Sequence, residues 1–194
     1  MRREALNPDM KFTSASTPPG RWIETFEISL LTPMVGGGIK SYQLDQGNPI
    51  RTSGIKNQLR FWWRAIQDPT TAKEDLLKAE TDLFGDGKTK ASTVRLSVVG
   101  KAPQGDQIVT IRPQKRKTAY PGYPPYALFP IAQSEEPFIY LLKEKYNFSL
   151  MVDCRDYDKE LITNLLTLWV LFGGLGARTR RGCGSVHCDT LTKD

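Results

Sequence analysis

The sequence predicts an α+β domain with a βαββαβ core: an antiparallel four-stranded sheet, two helices on one face, and a long insertion between the second and third strands. Three observations predict it. Strand-like and helix-like apolar periods follow one another in that order. A Pro-rich stretch without a clear period separates the second strand from the third. The longest apolar run, Leu161–Phe172, is 12 residues, which suits a buried helix and falls well short of the roughly 20 residues that cross a bilayer. Apolar residues at 39% and charged residues at 25% agree with a folded soluble domain and not with wholesale disorder.

Residues 1–20 mix charge, Ser, Thr and Pro and read as a flexible lead-in, leaving residues 21–194 as one domain. From Trp22 to Leu31, Trp22, Phe26, Ile28 and Leu30 keep a period of two, so this is a half-buried strand. Pro33 stops it, and Gly36-Gly37-Gly38 opens a loop to Pro49. Thr52 and Ser53 offer caps for a helix over about 54–67, with Ile55, Leu59, Trp62 and Ile66 on its core stripe. Trp63, at the edge of that stripe, is left to stack on a base or a partner chain. A short acidic helix over 72–81 and the turn Gly85-Asp86-Gly87 lead to a second strand over 93–99. The insertion, 100–143, reads as irregular. A third strand over 146–154 and a helix from a cap at Asp158 to Phe172 follow, with a closing strand near 185–190.

Charge is segregated along this chain. The protein has 27 Lys+Arg against 21 Asp+Glu, a formal net charge of +6. Three windows have no acidic residue: 46–67 with Arg51, Lys56, Arg60 and Arg64; 107–134 with Arg112, Lys115, Arg116 and Lys117; and 161–188 with Arg178, Arg180 and Arg181. Cations so grouped suit a polyanion, because each one that pairs with a phosphate releases a condensed counterion. Lys56, Arg60 and Arg64 also repel one another at i,i+4 steps by a few tenths of a kcal/mol per pair. An external anion would offset that cost. In the insertion, Lys115-Arg116-Lys117 precedes Tyr120, Tyr123, Tyr126 and Phe129. These rings either stack on unpaired bases or pin the excursion to the domain.

The segment after the second long helix is the most informative. Residues 173–185 hold five glycines and three arginines in 13 positions. Gly174, Gly176, Gly182 and Gly184, like Gly36, Gly37 and Gly38 in the first loop, let main chain approach a phosphate backbone closely. No G-K-[ST] follows, so this is not a nucleotide phosphate loop.

Two motifs carry a family resemblance. Ile55–Ala65 (I-K-N-Q-L-R-F-W-W-R-A), after Leu30–Gly37, resembles the RAMP superfamily of CRISPR effector proteins, and within it the Cmr subunit one family of type III-B complexes. Gly174–Ser185 (G-L-G-A-R-T-R-R-G-C-G-S) is similar to the glycine-rich loop of the same family. The resemblance implies a ferredoxin-like core, related to RNA-recognition (RRM-like) folds. It also implies a non-catalytic, RNA-binding subunit of a ribonucleoprotein in antiviral defence. Guide RNA, target RNA and other RAMP-type subunits are the implied partners, with no membrane and no cofactor. Asn57 stands where members often carry Gly. The RNA-binding residues expected on this basis are Lys56, Arg60 and Arg64, Lys115, Arg116 and Lys117, and Arg178, Arg180 and Arg181.

A catalytic role competes with the binding role. Some RAMP subunits cut RNA through an Asp in the loop after the first strand, and Asp45 lies in that loop. It is the only carboxylate between Glu27 and Asp68, whereas metal-assisted phosphoryl chemistry uses several converging oxygens. His187, the single His, has no triad pattern around it, and Cys183, His187 and Cys188 fit no zinc spacing. With Cys154 the cysteines number 3, which fits a reducing, cytoplasmic setting.

Overall fold

The computed structural model describes residues 18–40, 42–113, 126–132 and 134–192. The expected lead-in is thus described only at its end, where Arg21 N donates to Pro18 O at 3.1 Å. Strand β1 (Arg21–Leu30) buries Phe26, Ile28 and Leu30 and turns Glu24 and Glu27 outward. After β2 (Met34–Val35) come helices α1 (Thr52–Ala65) and α2 (Lys73–Phe84), then β3 (Arg95–Val99) and β4 (Ile108–Ile111). The short helix α3 (Phe129–Ala132), β5 (Ile139–Leu142), β6 (Asn147–Arg155), α4 (Lys159–Phe172), β7 (Val186–His187) and the short α5 (Asp189–Thr192) complete the chain.

The main sheet has the order β3-β6-β1-β7, antiparallel throughout. Counted as core strands, this is second, third, first, fourth: the ferredoxin-like arrangement expected from the sequence. Register puts like with like, with Phe26 opposite Leu150 and Ile28 opposite Phe148. One face takes both long helices. Ile55, Leu59 and Trp63 of α1 and Ile162, Leu165, Leu166 and Trp169 of α4 join Phe148, Leu150 and Val152 in the main core. At about 1.5–3 kcal/mol per fully buried side chain, this layer dominates the domain's stability.

Several local expectations are corrected. The buried row of α1 is Ile55, Leu59 and Trp63, an i,i+4,i+8 set, while Ile66 is 49% exposed. Trp62, expected in the core, is half-buried against Phe61 and Phe172 at ring distances of 5.2 and 5.9 Å. Its buried indole N–H has no partner among the described residues. Trp63, left free for stacking, is the buried one. Neither Thr52 nor Ser53 caps α1; Arg51 holds that position without a side-chain bond. Asp158 stands at the N-cap of α4 as expected but makes no side-chain cap bond; its carboxylate accepts Arg155 Nε at 2.6 Å. The closing strand shrinks to two residues before the chain turns into α5.

The largest correction is the insertion. It contains β4 and β5, which join β2 in a second sheet of order β2-β5-β4. Beneath it Val35, Ile111, Leu128, Ile131, Ile139, Leu141 and Cys183 form a separate small core. Ile108-Val109-Thr110-Ile111 is β-branched throughout, but at four residues its period is too short to stand out from a Pro-rich background. Among the described residues no helix is long and apolar enough to cross a membrane.

Candidate nucleic-acid interface

Pro33 has no N–H to continue the β1 ladder, and the chain leaves the main sheet for β2 and then Gly36 and Gly37, at φ +82° and +98°. The Gly-rich segment after α4 returns to the same place. Ala177 N donates to Val35 O at 2.7 Å, Gly184 N to Pro33 O at 2.9 Å, and Leu175 N to Gly184 O at 2.8 Å. Side chains do not fit between these strands of main chain. A Cβ on Gly176 would lie 2.2 Å from Val35 O, one on Gly184 1.9 Å from Leu175 O, and one on Gly37 2.8 Å from Pro49 O. Gly38 and Gly174 are as confined, by Gln43 O and Gly184 O. Most of the glycines expected to admit a phosphate therefore admit main chain instead: that of the other loop at Gly176, and that of their own loop or segment at Gly37, Gly38, Gly174 and Gly184. Gly182 is different: φ is +79° and, among the described residues, nothing stands within 4 Å of a Cβ there.

The joined loops frame a cleft of about 330 Å³ with the start of α1. Gly37 and Met34 line one wall, Gly174–Gly176 another, and Arg51, Ser53, Gly54, Asn57 and Gln58 the third. The first turn of α1 carries no acidic residue and no side-chain cap, so the positive end of the helix dipole faces the cleft. A second groove of about 320 Å³ runs along Gly36–Lys40, Tyr42, Gly176 and Ala177. Lys40 there pairs with Glu136 at 3.1 Å.

The expected cations divide. On α1, Arg60 Nε donates to Glu80 Oε1 and Arg64 Nε to Glu80 Oε2, both at 2.7 Å. Glu80 belongs to α2 and its side chain is only 5% exposed. The hydrogen bond from Arg64, more than any other contact, holds the Glu80 carboxyl below its usual range, and the same pairing raises the Arg64 pKa. Lys56 Nζ donates to Val94 O at 3.3 Å, and burial, with Arg60 beside it, lowers its pKa. The anion expected from outside is thus largely Glu80, and the convergence of three basic windows on one groove is corrected for this one.

The glycine-segment cations lie elsewhere. Arg178, at φ +66°, donates to Ala127 O at 2.9 Å and Tyr126 O at 3.2 Å. Arg181 is exposed and donates to the Tyr126 hydroxyl at 3.1 Å. Arg180 is exposed and has no partner among the described residues. Lys115, Arg116 and Lys117 lie outside the described residues.

Asp45 is built into a turn. Its Oδ1 accepts the N–H groups of Gly47 and Asn48, each at 3.1 Å, and its Oδ2 lies 3.7 Å from Arg51. Among the described residues no three His, Cys, Asp or Glu side chains converge as a metal-ligand set. His187 contacts Asp189 at 3.1 Å. Cys154, Cys183 and Cys188 are free and buried; burial pushes the Cys154 thiol up to about 11 and raises that of Cys183. Among the described residues the open face of the main sheet offers a base no Phe, Tyr or Trp ring, only the His187 imidazole opposite Ser29. It presents Thr25, Glu27, Ser29, Ser97, Ser149, Met151 and Asp153, and Ser149 donates to Glu27 at 2.7 Å. Sheets that bind RNA by stacking display aromatics on this face.

The family model described as the RAMP superfamily matches residues 27–187. The chain belongs to the RAMP superfamily. No curated protein sequence matches it. Among solved structures, this RAMP chain is similar to Cmr1 from Pyrococcus furiosus in its apo form, at 22% identity and a TM-score of 0.59 over 86% of this chain. It is similar to a chain of the type III-B Cmr-beta complex bound to cognate target RNA, at 17% identity and a TM-score of 0.59 over 87% of this chain. A chain of a type IV-B CRISPR complex matches at 15% identity and a TM-score of 0.50, again over 87% of this chain. These likenesses are of fold. The RAMP chain spans 49% of the Cmr1 chain and 59% of the Cmr-beta chain.

Sequence reasoning about this RAMP domain missed the roles of Glu80, Tyr126, Asn57 and Gln58. Glu80 had one signal: it sits in the acidic helix next in sequence to the basic row. Asn57, where relatives often carry Gly, is exposed on the cleft wall and not packed into a crossing. Tyr126 had none to set it apart from its neighbouring tyrosines.

Proposed function

We propose that this RAMP domain is a non-catalytic RNA-binding subunit of a CRISPR RNA-guided effector complex, gripping guide or target RNA through backbone contacts. Other RAMP-type subunits are its protein partners, and it needs no cofactor. One observation carries the reading. Two glycine-rich loops and the uncapped start of α1 meet at a cleft, beside a loop whose Arg180 and Arg181 are solvent-exposed. Main-chain N–H groups at the cleft and exposed guanidinium groups further along the glycine segment that lines it suit phosphates of any sequence, as a guide-loaded complex requires. The likeness to a chain of a Cmr-beta complex bound to cognate target RNA supports the setting.

The test is Arg180→Ala combined with Arg181→Ala. Affinity for single-stranded RNA falls for all sequences alike, and the slope of log K against log salt shrinks by up to about two. A loss confined to particular sequences, or none, overturns the backbone grip. Cleavage through Asp45 is the competing reading. Its carboxylate is engaged in a turn and by Arg51, so Asp45→Ala leaves the cleavage pattern of matched target RNA unchanged in the assembled complex.

A further inference from the structure

We propose that Tyr126 and Arg181 form a stacking platform for one unpaired nucleobase, next to the phosphate-gripping loop. The inference rests on the RNA-binding reading and adds a base contact to it. Tyr126 is 64% exposed although the two residues after it, Ala127 and Leu128, are 3% and 2% exposed. Its main chain is therefore anchored while its ring stands in solvent. Two contacts fix the ring. Arg181 Cζ lies 4.8 Å from the ring centroid, and its guanidinium donates to the hydroxyl at 3.1 Å. Arg178 fixes the main chain, holding the carbonyls of both Tyr126 and Ala127. To do so Arg178 takes a left-handed backbone conformation, uncommon for a residue other than glycine.

A tyrosine that served only to pin its segment would bury its ring. Here Ala127 and Leu128 do the pinning, and the ring adds an exposed plane bearing a guanidinium. Unpaired bases are bound by such surfaces, through ring stacking with a cationic contribution. Arg180 stands in the same turn as Arg181, so a phosphate held by it keeps its base near the platform. The ring is sequence-tolerant because every base has a π-face; the purines, with the larger faces, bind best.

The experiment uses fluorescence anisotropy on the full chain with two labelled probes, an oligoadenylate and an abasic ribose-phosphate strand of equal length. The unaltered chain binds both, preferring the oligoadenylate by about tenfold. Tyr126→Leu removes that preference and leaves abasic affinity within about twofold, while Tyr126→Phe recovers most of it. Equal affinity of the unaltered chain for the two probes overturns the platform without needing any variant. So does a Tyr126→Leu loss of the same size on both probes, or no loss on either. Binding of neither probe by the unaltered chain overturns the RNA-binding reading itself, which separates the two failures.

Discussion

Helix α1 and the turn after α4 each place three cations within nine residues or fewer, and the fold treats them in opposite ways. In α1, Arg60 and Arg64 converge on the buried Glu80 carboxylate and Lys56 on the Val94 carbonyl. In the turn, Arg178 alone is spent on carbonyls, Arg181 lies on an exposed ring, and Arg180 reaches solvent. A row of basic residues becomes a binding surface only where no carboxylate from a distant element can reach it. The absence of acid within the same window does not decide this, because Glu80 comes from outside its window. Glycine differs between the regions in the same sense: Gly54 of α1 has open space around it, whereas Gly176 and Gly184 are pressed against carbonyl oxygens.

The sharpest way to break the comparison is at the interlock. Gly184→Ala forces a Cβ to within 1.9 Å of Leu175 O at φ +69°, and a loss of about 3 kcal/mol or more is expected in urea unfolding. A wild-type midpoint would mean that the glycine-rich segment need not fold back on itself at Leu175 and Gly184. Next in size is Glu80→Ala, which leaves two guanidinium groups facing a vacated carboxylate site. Arg64 is 56% exposed and rehydrates, so the expected loss is about 2 kcal/mol. The salt slope of RNA binding should be unmoved by this change, and a changed slope would return the α1 cations to the RNA site.

Acid should weaken α1 in the same way. The Glu80 carboxyl is held below its usual range in the folded state, by Arg64 first. Its pairing therefore stabilises fully above the unfolded value, about 4.3. That contribution fades as pH falls through the lower folded value. Urea midpoints of the unaltered chain and Glu80→Gln should keep a constant gap down to about pH 4.3 and draw together as pH falls further, and parallel curves below that pH would contradict the pairing. The smallest effect is at Gly182, which has a positive φ but open surroundings. Gly182→Ala should cost about 1 kcal/mol in the same unfolding assay, and a cost equal to that of Gly184→Ala would show that backbone strain alone sets both.

Much of the fold could be read from the sequence because long elements keep their period. β1, β6, α1 and α4 were legible from Phe26–Ile28–Leu30, Phe148–Leu150–Val152 and the apolar rows of the helices, and their order implied the sheet. β4 and β5 were not, since each is four residues long and finds its partner across the insertion. Trp62 and Trp63 exchanged roles because neighbours on a helix wheel differ by about 100°: Trp63 packs on Phe84 of α2, while Trp62 meets Phe172 at the end of α4. At the candidate site, the glycines and arginines were legible as types and positions. That the glycines serve contact between loops, and that Arg178 holds Tyr126 and Ala127, depends on segments brought together only by the tertiary fold.

The hydrogen bond from Ser185 to Thr32 joins residues 153 positions apart. Closing a span of that length has an entropic cost of about 4–5 kcal/mol. During synthesis the first loop must therefore wait for residue 185 to leave the ribosome before its counterpart exists. Until then the growing chain has no such cleft to offer.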